Sequence, residues 1–544
     1  MEPIEFNLLE EPWIRVMRSD CGVEELSLTD TLLRAQDYRG LGGELPTQDV
    51  AVLRLLLAVL QTVFSRVDEN GEAAPLEDKS DAFDRWKALW ELGSFPEKPI
   101  RGYLEKWRDR FWLFHNERPF YQVPEAAVGT AYGAAKLNGE MSESSNKLKL
   151  FPVRTGKEKN GVPYSEAARW LLYVNGYDDT SSKAKQKDLP SPGAGWLGKL
   201  GLIYADGRNL FETLMLNLVL TDQEEDCWEA PCPVWERDKP CVDERIEVAL
   251  PQNQAELLTL QSRRLLLNRY DDRVIGYNLL GGEFFQRANA AAEQMTVWRR
   301  VDQKKNEPPC QLPRRHDPSR QLWRDFSIIT GMNKEVWTPG VVQWISRLKS
   351  RRILDDRAVI SFRTAAVQYG DKDFFVTDVF CDHLDFHMNL LTDQAEGWME
   401  MIRIEIGKCE EAANIIGYLS DGLCKAAGGD RVSKAQYAKE RFFAGIDLPF
   451  RSWLMTLDPA QGDDEAQRNS AEAAWRITAY HVACRLGKEM VEQAGSVAYA
   501  GREITENIKG KTEKRYYSSP MVYNQFIWQI RKCFEIEAAK EASH

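Results

Sequence analysis

Three groups of residues in this chain have the types and spacing to do chemistry. Cys381, His383 and His387 place two histidines four apart, which on a helix would share one face and could hold zinc. No glutamate follows the first histidine in the metalloprotease manner and no third ligand is evident, so the pattern is thin. Cys227, Cys232 and Cys241 lie in a segment rich in Pro and Trp, with irregular spacing and no paired Cys-x-x-Cys, and unrelated loop cysteines are the simpler reading. The third group is cationic. Residues 145–220 open on Lys147, Lys149, Phe151, Arg154, Lys157 and Lys159, continue through Lys183, Lys185 and Lys187, and reach the run Pro192-Gly193-Ala194-Gly195-Trp196. Basic loops of this length imply either a polyanion partner or a solvated excursion on the surface. The glycine run lacks the Gly-Lys-Ser/Thr ending of a P-loop and follows no strand-to-GxGxxG pattern, so it is not a nucleotide-binding loop.

The elements that must position these residues divide the chain in two. At 544 residues it is too long for one core. Residues 1–388 mix strand and helix patterns without a regular βαβ alternation, which indicates an irregular α+β domain. The opening text reads as two short strands joined at Asp20-Cys21-Gly22, followed by a helix capped by Ser27 and a longer apolar core helix through Phe64. Helical text over 166–174 and 209–219 brackets the second lysine cluster, and strands are expected over 263–268, 273–280 and 359–364. Residues 389–544 read as long amphipathic helices over 396–427, 432–457, 465–493 and 522–542, an up-and-down four-helix bundle forming a separate domain. The fold class expected is therefore α+β, a large mixed N-terminal domain followed by a four-helix bundle.

Composition narrows the function. A net charge of -12 counts against a free-standing nucleic-acid binder but allows a local basic patch. Ten scattered cysteines argue for reduced thiols rather than a disulfide scaffold. No apolar run approaches the ~18 residues needed to span a bilayer, and no basic-then-apolar leader opens the sequence, so no membrane partner and a cytoplasmic location are expected.

Further candidates follow along the chain. Residues 107–122 interleave aromatics with arginines and could stack bases, although Phe111, Leu113 and Phe114 beside a proline turn are more simply packing residues. Arg299, Arg300, Arg314, Arg315 and Arg320 form either a second phosphate-facing surface or a solvated one. Gly370-Asp371-Lys372-Asp373 should be a tight exposed turn, with Phe374 either projecting or buried as the start of the next strand.

Seven segments in one order carry a resemblance. They are Asn7-Leu8-Leu9-Glu10-Glu11-Pro12-Trp13-Ile14, Phe120 after a proline, Gly195-Trp196-Leu197-Gly198 leading to residues 212–219, Gln261-Ser262-Arg263-Arg264, Met295-Thr296-Val297-Trp298-Arg299, residues 316–323 and Pro449-Phe450-Arg451-Ser452-Trp453-Leu454. Together the chain resembles the CasA-type large subunit of the type I-E CRISPR Cascade complex, from the first strand into the bundle. The resemblance implies a non-enzymatic, cofactor-free subunit of an RNA-guided surveillance complex. Such a subunit recognises a short protospacer-adjacent motif in double-stranded DNA, helps open the duplex for guide RNA, and recruits a separate helicase-nuclease. Its other partners would be the guide RNA complex and the backbone, small and guide 5′-end subunits.

The same resemblance assigns a mobile loop to Phe151, Arg154, Lys157 and Lys159, and a glycine loop to Gly193, Ala194 and Gly195, here poorer in glycine than the family pattern. It places a minor-groove lysine of the family near Gln294, with Arg299 or Arg300 as alternative cations. The motif-reading and strand-wedging turn falls on Gly370, Asp371, Lys372, Asp373 and Phe374, where the family usually carries amides. Lys372 could donate to acceptors on minor-groove edges, Asp373 would tolerate only a guanine amino group, and Phe374 could unstack base steps. A zinc-dependent nucleic-acid enzyme using Cys381, His383 and His387 is the rival expectation.

Overall fold

The chain is represented by a computed structural model. It describes residues 3–139, 154, 157–180, 193–238, 251, 253–282, 287–303, 307–354, 359–429, 434–459, 464–508 and 511–536. The described chain resolves into two compact units. The first takes in Met1–Pro318, Ile328–Leu354 and Ile360–His383, and the second takes in Ser319–Ser327, Asp355–Val359 and everything from Leu384 onward. The division therefore falls inside one strand, Val376–His387, and the second unit also claims two short stretches earlier in the chain.

In the first unit the apolar helix Pro46–Phe64 is the spine. It is long and apolar enough to cross a membrane by composition, but 94% of that window is buried. An apolar helix covered on every face belongs inside a core. The helix opens on a proline at its first position, where the missing N–H costs nothing, and the helices Tyr164–Tyr177 and Gln254–Leu258 pack on it. A buried ion pair, Arg54 with Glu293 at 2.9 and 3.0 Å, joins this helix to the segment before Trp298. Glu293 also accepts from the Trp196 indole at 2.7 Å and from the Met295 amide at 3.0 Å, so its lone pairs are filled although it is buried.

The short strands behave as their alternation implies. Ile14–Met17 pairs antiparallel with Val23–Leu26 around a turn in which Cys21 has φ +65°, and Ser27 caps the next helix by accepting from the Asp30 amide. Glu5–Asn7 instead pairs with Trp112–Phe114, which fixes the aromatic segment as packing: Phe111, Leu113, Phe114 and Phe120 are all buried. Arg263–Tyr270 and Arg273–Gly281 form the central hairpin of a four-stranded sheet. Val359–Tyr369 lies between Val376–His387 and Tyr204–Asp206 in a three-stranded sheet.

In the second unit Glu396–Ala427, Lys434–Leu454, Glu465–Ala500 and Ser519–Cys533 make the four bundle helices. Its core is aromatic: Phe450 meets Trp323, Trp453 and Trp475 at ring distances of 4.1, 5.3 and 5.1 Å. This explains why Ser319–Ser327 joins the unit, because Trp323 stacks on Phe450 and donates to Asp447 at 2.8 Å. Between the third and fourth bundle helices, where the sequence shows no helical period, the chain forms a hairpin, Arg502–Ile508 with Lys511–Tyr517. One side of this ribbon packs on Glu396–Ala427 largely through polar groups, with Lys425 paired to Glu506 and lying over the Tyr517 ring.

The rival zinc reading finds no support in the placement of its residues. Cys381, His383 and His387 lie on a strand, not a helix. Residues four apart on a strand are separated by roughly 13 Å, too far to share one ion. His387 instead sits 3.7 Å from Asp458. Cys227 donates to the Asp78 carbonyl, Cys232 is exposed, Cys241 lies outside the described residues, and no cluster of His, Cys, Asp or Glu able to hold a metal occurs among the described residues.

Candidate nucleic-acid interface

The turn after Val359–Tyr369 is the best-defined candidate. Gly370 donates to the Phe375 carbonyl at 2.8 Å, and a Cβ at Gly370 would stand 2.7 Å from the Phe375 ring, so a larger residue there would have to displace that ring. Lys372 and Asp373 follow with φ +54° and +59°, two successive left-handed residues that are not glycine. Each such residue costs on the order of 1 kcal/mol and persists only where its surroundings hold it.

Those surroundings come from Thr180. Its hydroxyl donates to the Lys372 carbonyl and its amide to the Asp373 carbonyl, both at 2.9 Å. Arg315 adds a two-pronged ion pair to the Asp373 carboxylate at 2.7 and 2.9 Å while lying over the Tyr369 ring. The braced turn leaves the Lys372 side chain exposed and presents Phe374 with 45% of its surface in water. Other large apolar side chains are also exposed, and what distinguishes Phe374 is the strained, braced turn that holds it. The open alternative of the sequence is decided by this exposure: Phe374 projects.

The glycine loop meets the turn through the same segment. Arg263, buried to 1% exposure, donates to the Asp178 carboxylate at 2.5 Å and to the carbonyls of Asp179 and Gly193 at 3.1 and 2.6 Å. Gly193 has φ +66°. Gly195 donates to the Asp178 carbonyl, and a Cβ there would stand 2.3 Å from the Gly176 carbonyl. The close approach that makes Gly195 necessary is thus to the protein's own helix end. Ala194 and Trp196 are buried beneath the loop, which accounts for the interrupted glycine run.

A Cβ at Gly198 would stand 2.0 Å from the Tyr369 hydroxyl, which donates to the Tyr177 carbonyl at 2.6 Å. The loop, the 176–180 segment and the root of the turn therefore form one hydrogen-bonded assembly. Lys199, in the half-turn that follows the loop, is partly buried beside Gly193. Burial, with Arg263, Arg287 and Arg315 nearby, pushes its ammonium down to about 8.

The remaining sequence candidates are placed less favourably. Phe151 lies outside the described residues, as do Lys147, Lys149, Lys183, Lys185 and Lys187. Arg154 is spent on a two-pronged pair with Glu166. Lys157 and Lys159 sit on a single helical turn, Lys157–Asn160. Gln294 is buried, donates to the Ala291 carbonyl at 2.6 Å and fills the space beside Gly340, so it offers no polar atom outward as it stands. Arg299 and Arg300 are exposed on the strand Trp298–Val301, and Arg300 is within 3.6 Å of Asp302 and 3.4 Å of Glu335.

Sequence reasoning did not single out Thr180, Arg263 or Lys199, and named Arg315 only as one of several arginines. Arginine at two sequence-distant sites paired to Asp178 and Asp373 leaves no local signal, because each pair is made across the fold.

The comparisons agree over nearly the whole chain. The model of the family described as CRISPR-associated protein Cse1 matches residues 7–486. A CasA/Cse1 protein of Thermus thermophilus is 33% identical over 505 residues, covering 87% of this chain and 92% of that protein. The crystal structure of Thermobifida fusca Cse1 superposes with a TM-score of 0.79 at 27% identity, covering 98% of this chain and 99% of that one. A chain of a CRISPR RNA-guided surveillance complex shares the fold, with a TM-score of 0.69 at 17% identity over 98% of this chain and all of that chain. With 480 of its residues under the family model and 33% identity over 505 residues to a CasA/Cse1 protein, the chain belongs to the CRISPR-associated Cse1 (CasA) family.

Proposed function

We propose that this chain is the large subunit of an RNA-guided surveillance complex that recognises a protospacer-adjacent motif in double-stranded DNA and starts duplex opening there. The observation that carries the reading is the turn Gly370–Phe374, with an apolar ring projecting beside an exposed lysine on a strained, doubly braced backbone. A ring driven between base steps unstacks them, and a lysine ammonium beside it donates to the acceptor-rich floor of the minor groove. Asp373 is already occupied by Arg315, so reading falls to Lys372 and the projecting ring rather than to the carboxylate. The glycine loop lies alongside as a backbone surface for the duplex.

The complex's guide RNA then supplies sequence specificity by pairing, and a recruited helicase-nuclease supplies cleavage, so the subunit acts by binding and not by catalysis. Its position in the complex brings it against the guide RNA, the backbone and small subunits and the subunit at the guide 5′ end. Membership in the Cse1 family and the shared fold with a surveillance-complex chain support this assignment. The test is a binding series of the assembled complex on duplexes carrying every adjacent motif. Lys372→Ala should change the order of preference among motifs; an unchanged order at unchanged affinity overturns the role of the turn.

A further inference from the structure

Among the described residues the charge around Lys199 does not balance. Arg263, Arg287 and Arg315 lie close enough to Lys199 to act on its charge, where the glycine loop, the half-turn Leu197–Lys199, the strand from Arg263 and the 370–375 turn converge. Among those same residues two carboxylates are bound to these cations. Asp178 is bound to Arg263 at 2.5 Å and Asp373 to Arg315 at 2.7 Å. Lys199 has no ion pair or hydrogen bond of its side chain among the described residues, although it is partly buried, and its Nζ stands near the Gly193 backbone. Buried charges are ordinarily paired. A lysine left unpaired among three arginines costs stability in the free protein, and that cost is relieved by an anion.

We infer that Lys199 and Arg315 form a phosphate-binding site at the junction of the glycine loop and the turn, taking a backbone phosphate of the target duplex beside the adjacent motif. This deepens the proposed function and rests on it. Arg315 spends two of its five donors on Asp373 and keeps others for a second oxyanion. Lys199 supplies the charge that Asp373 has already cancelled on Arg315. Because Arg315 also holds the left-handed turn through Asp373, a phosphate seated there locks the register of Lys372 and Phe374 on the DNA. The contact itself carries no sequence information.

The geometry also sets a pH dependence. The groups facing Lys199 are Arg263, Arg287 and Arg315, which disfavour its charge, and Asp373, which favours it. Its ammonium loses its proton near pH 8 in the free protein, so phosphate binding should weaken as pH rises from 7 to 9.

The test uses the assembled complex with wild-type subunit, Lys199→Gln and Lys199→Arg, binding target duplex across salt, pH and adjacent motifs. Each phosphate contact contributes a log–log salt slope of about −0.9, so between 50 and 200 mM salt the wild type should lose roughly 3.5-fold more affinity than Lys199→Gln. Lys199→Gln should bind more weakly by a similar factor on every motif, keep the wild-type order of preference, and show no added weakening from pH 7 to 9. Lys199→Arg should retain the salt slope and lose the pH dependence.

A thermal midpoint of Lys199→Gln at or above wild type shows that the fold is intact. Identical salt slopes for wild type and Lys199→Gln overturn the site while leaving motif recognition standing. A wild-type complex that does not distinguish motifs overturns the recognition reading instead. Weakened joining of Lys199→Gln subunit to the guide complex, with target binding unaltered, assigns the phosphate to the guide strand and overturns its placement on target DNA.

Discussion

Replacing Phe374 with alanine separates its value to the fold from its value to the duplex. With 45% of its surface exposed, the ring has only about half of a phenylalanine's burial at stake. Full burial is worth ~1.5–3 kcal/mol, so truncation should cost the free subunit about 0.8–1.6 kcal/mol. For a unit of this size that lowers the melting midpoint by ~2 °C or less. On DNA the loss is larger, because unstacking a base step takes a few kcal/mol that an inserted ring offsets. If the ring supplies ~2–3 kcal/mol of it, R-loop formation on closed duplex should slow roughly 30- to 150-fold.

The assay compares R-loop formation by the assembled complex on closed duplex and on the same target carrying an unpaired bubble beside the motif. The slowing should vanish on the bubble, where no stacking remains to be broken. Equal slowing on both targets, or no slowing on the closed one, refutes the wedge and makes Phe374 an ordinary surface residue.

Further outcomes follow from the same geometry. Arg263→Met leaves the Asp178 carboxylate without its guanidinium and frees the carbonyl of Gly193, so denaturant unfolding should show a loss of about 3–5 kcal/mol. Gly198→Ala forces the Tyr369 hydroxyl from the Tyr177 carbonyl; duplex affinity should fall more than stability does, read by binding and melting side by side. Asp49 is held at about 7 by burial, above the ordinary carboxylate value, so the folded protein keeps a proton that the unfolded chain releases. Its contribution to stability therefore falls as pH rises from about 4 to about 7 and is flat above. Melting of Asp49→Asn should exceed wild type by a margin that grows across that window.

The elements were legible wherever burial wrote a period into the sequence. Pro46–Phe64, Glu396–Ala427 and the strands from Arg263 and Arg273 fall where their apolar spacing places them. The hairpin Arg502–Ile508 with Lys511–Tyr517 was hidden because the side it packs on Glu396–Ala427 does so largely through polar groups such as Glu506, so no hydrophobic alternation marks it. The i, i+4 spacing of His383 and His387 would share one face on a helix and shares one face equally on a strand, so it could not tell the two apart, and the chain there is a strand.

Of the candidate site, the turn at Gly370 announced itself through its local chemistry. What braces it did not: Thr180, Arg315 and Arg263 act through backbone carbonyls and carboxylates far away in sequence, and one chain read alone carries no trace of such pairs. Gln294 shows the converse, a polar residue assigned outward by resemblance that the fold turns inward against Gly340.

The central claim is that this subunit engages target duplex at the adjacent motif. It is tested most directly by measuring duplex binding of the guide complex assembled with and without this chain, on targets that carry or lack the motif. The account predicts tight binding only when chain and motif are both present. Equal binding without the chain, or equal binding to both targets with it, would contradict it.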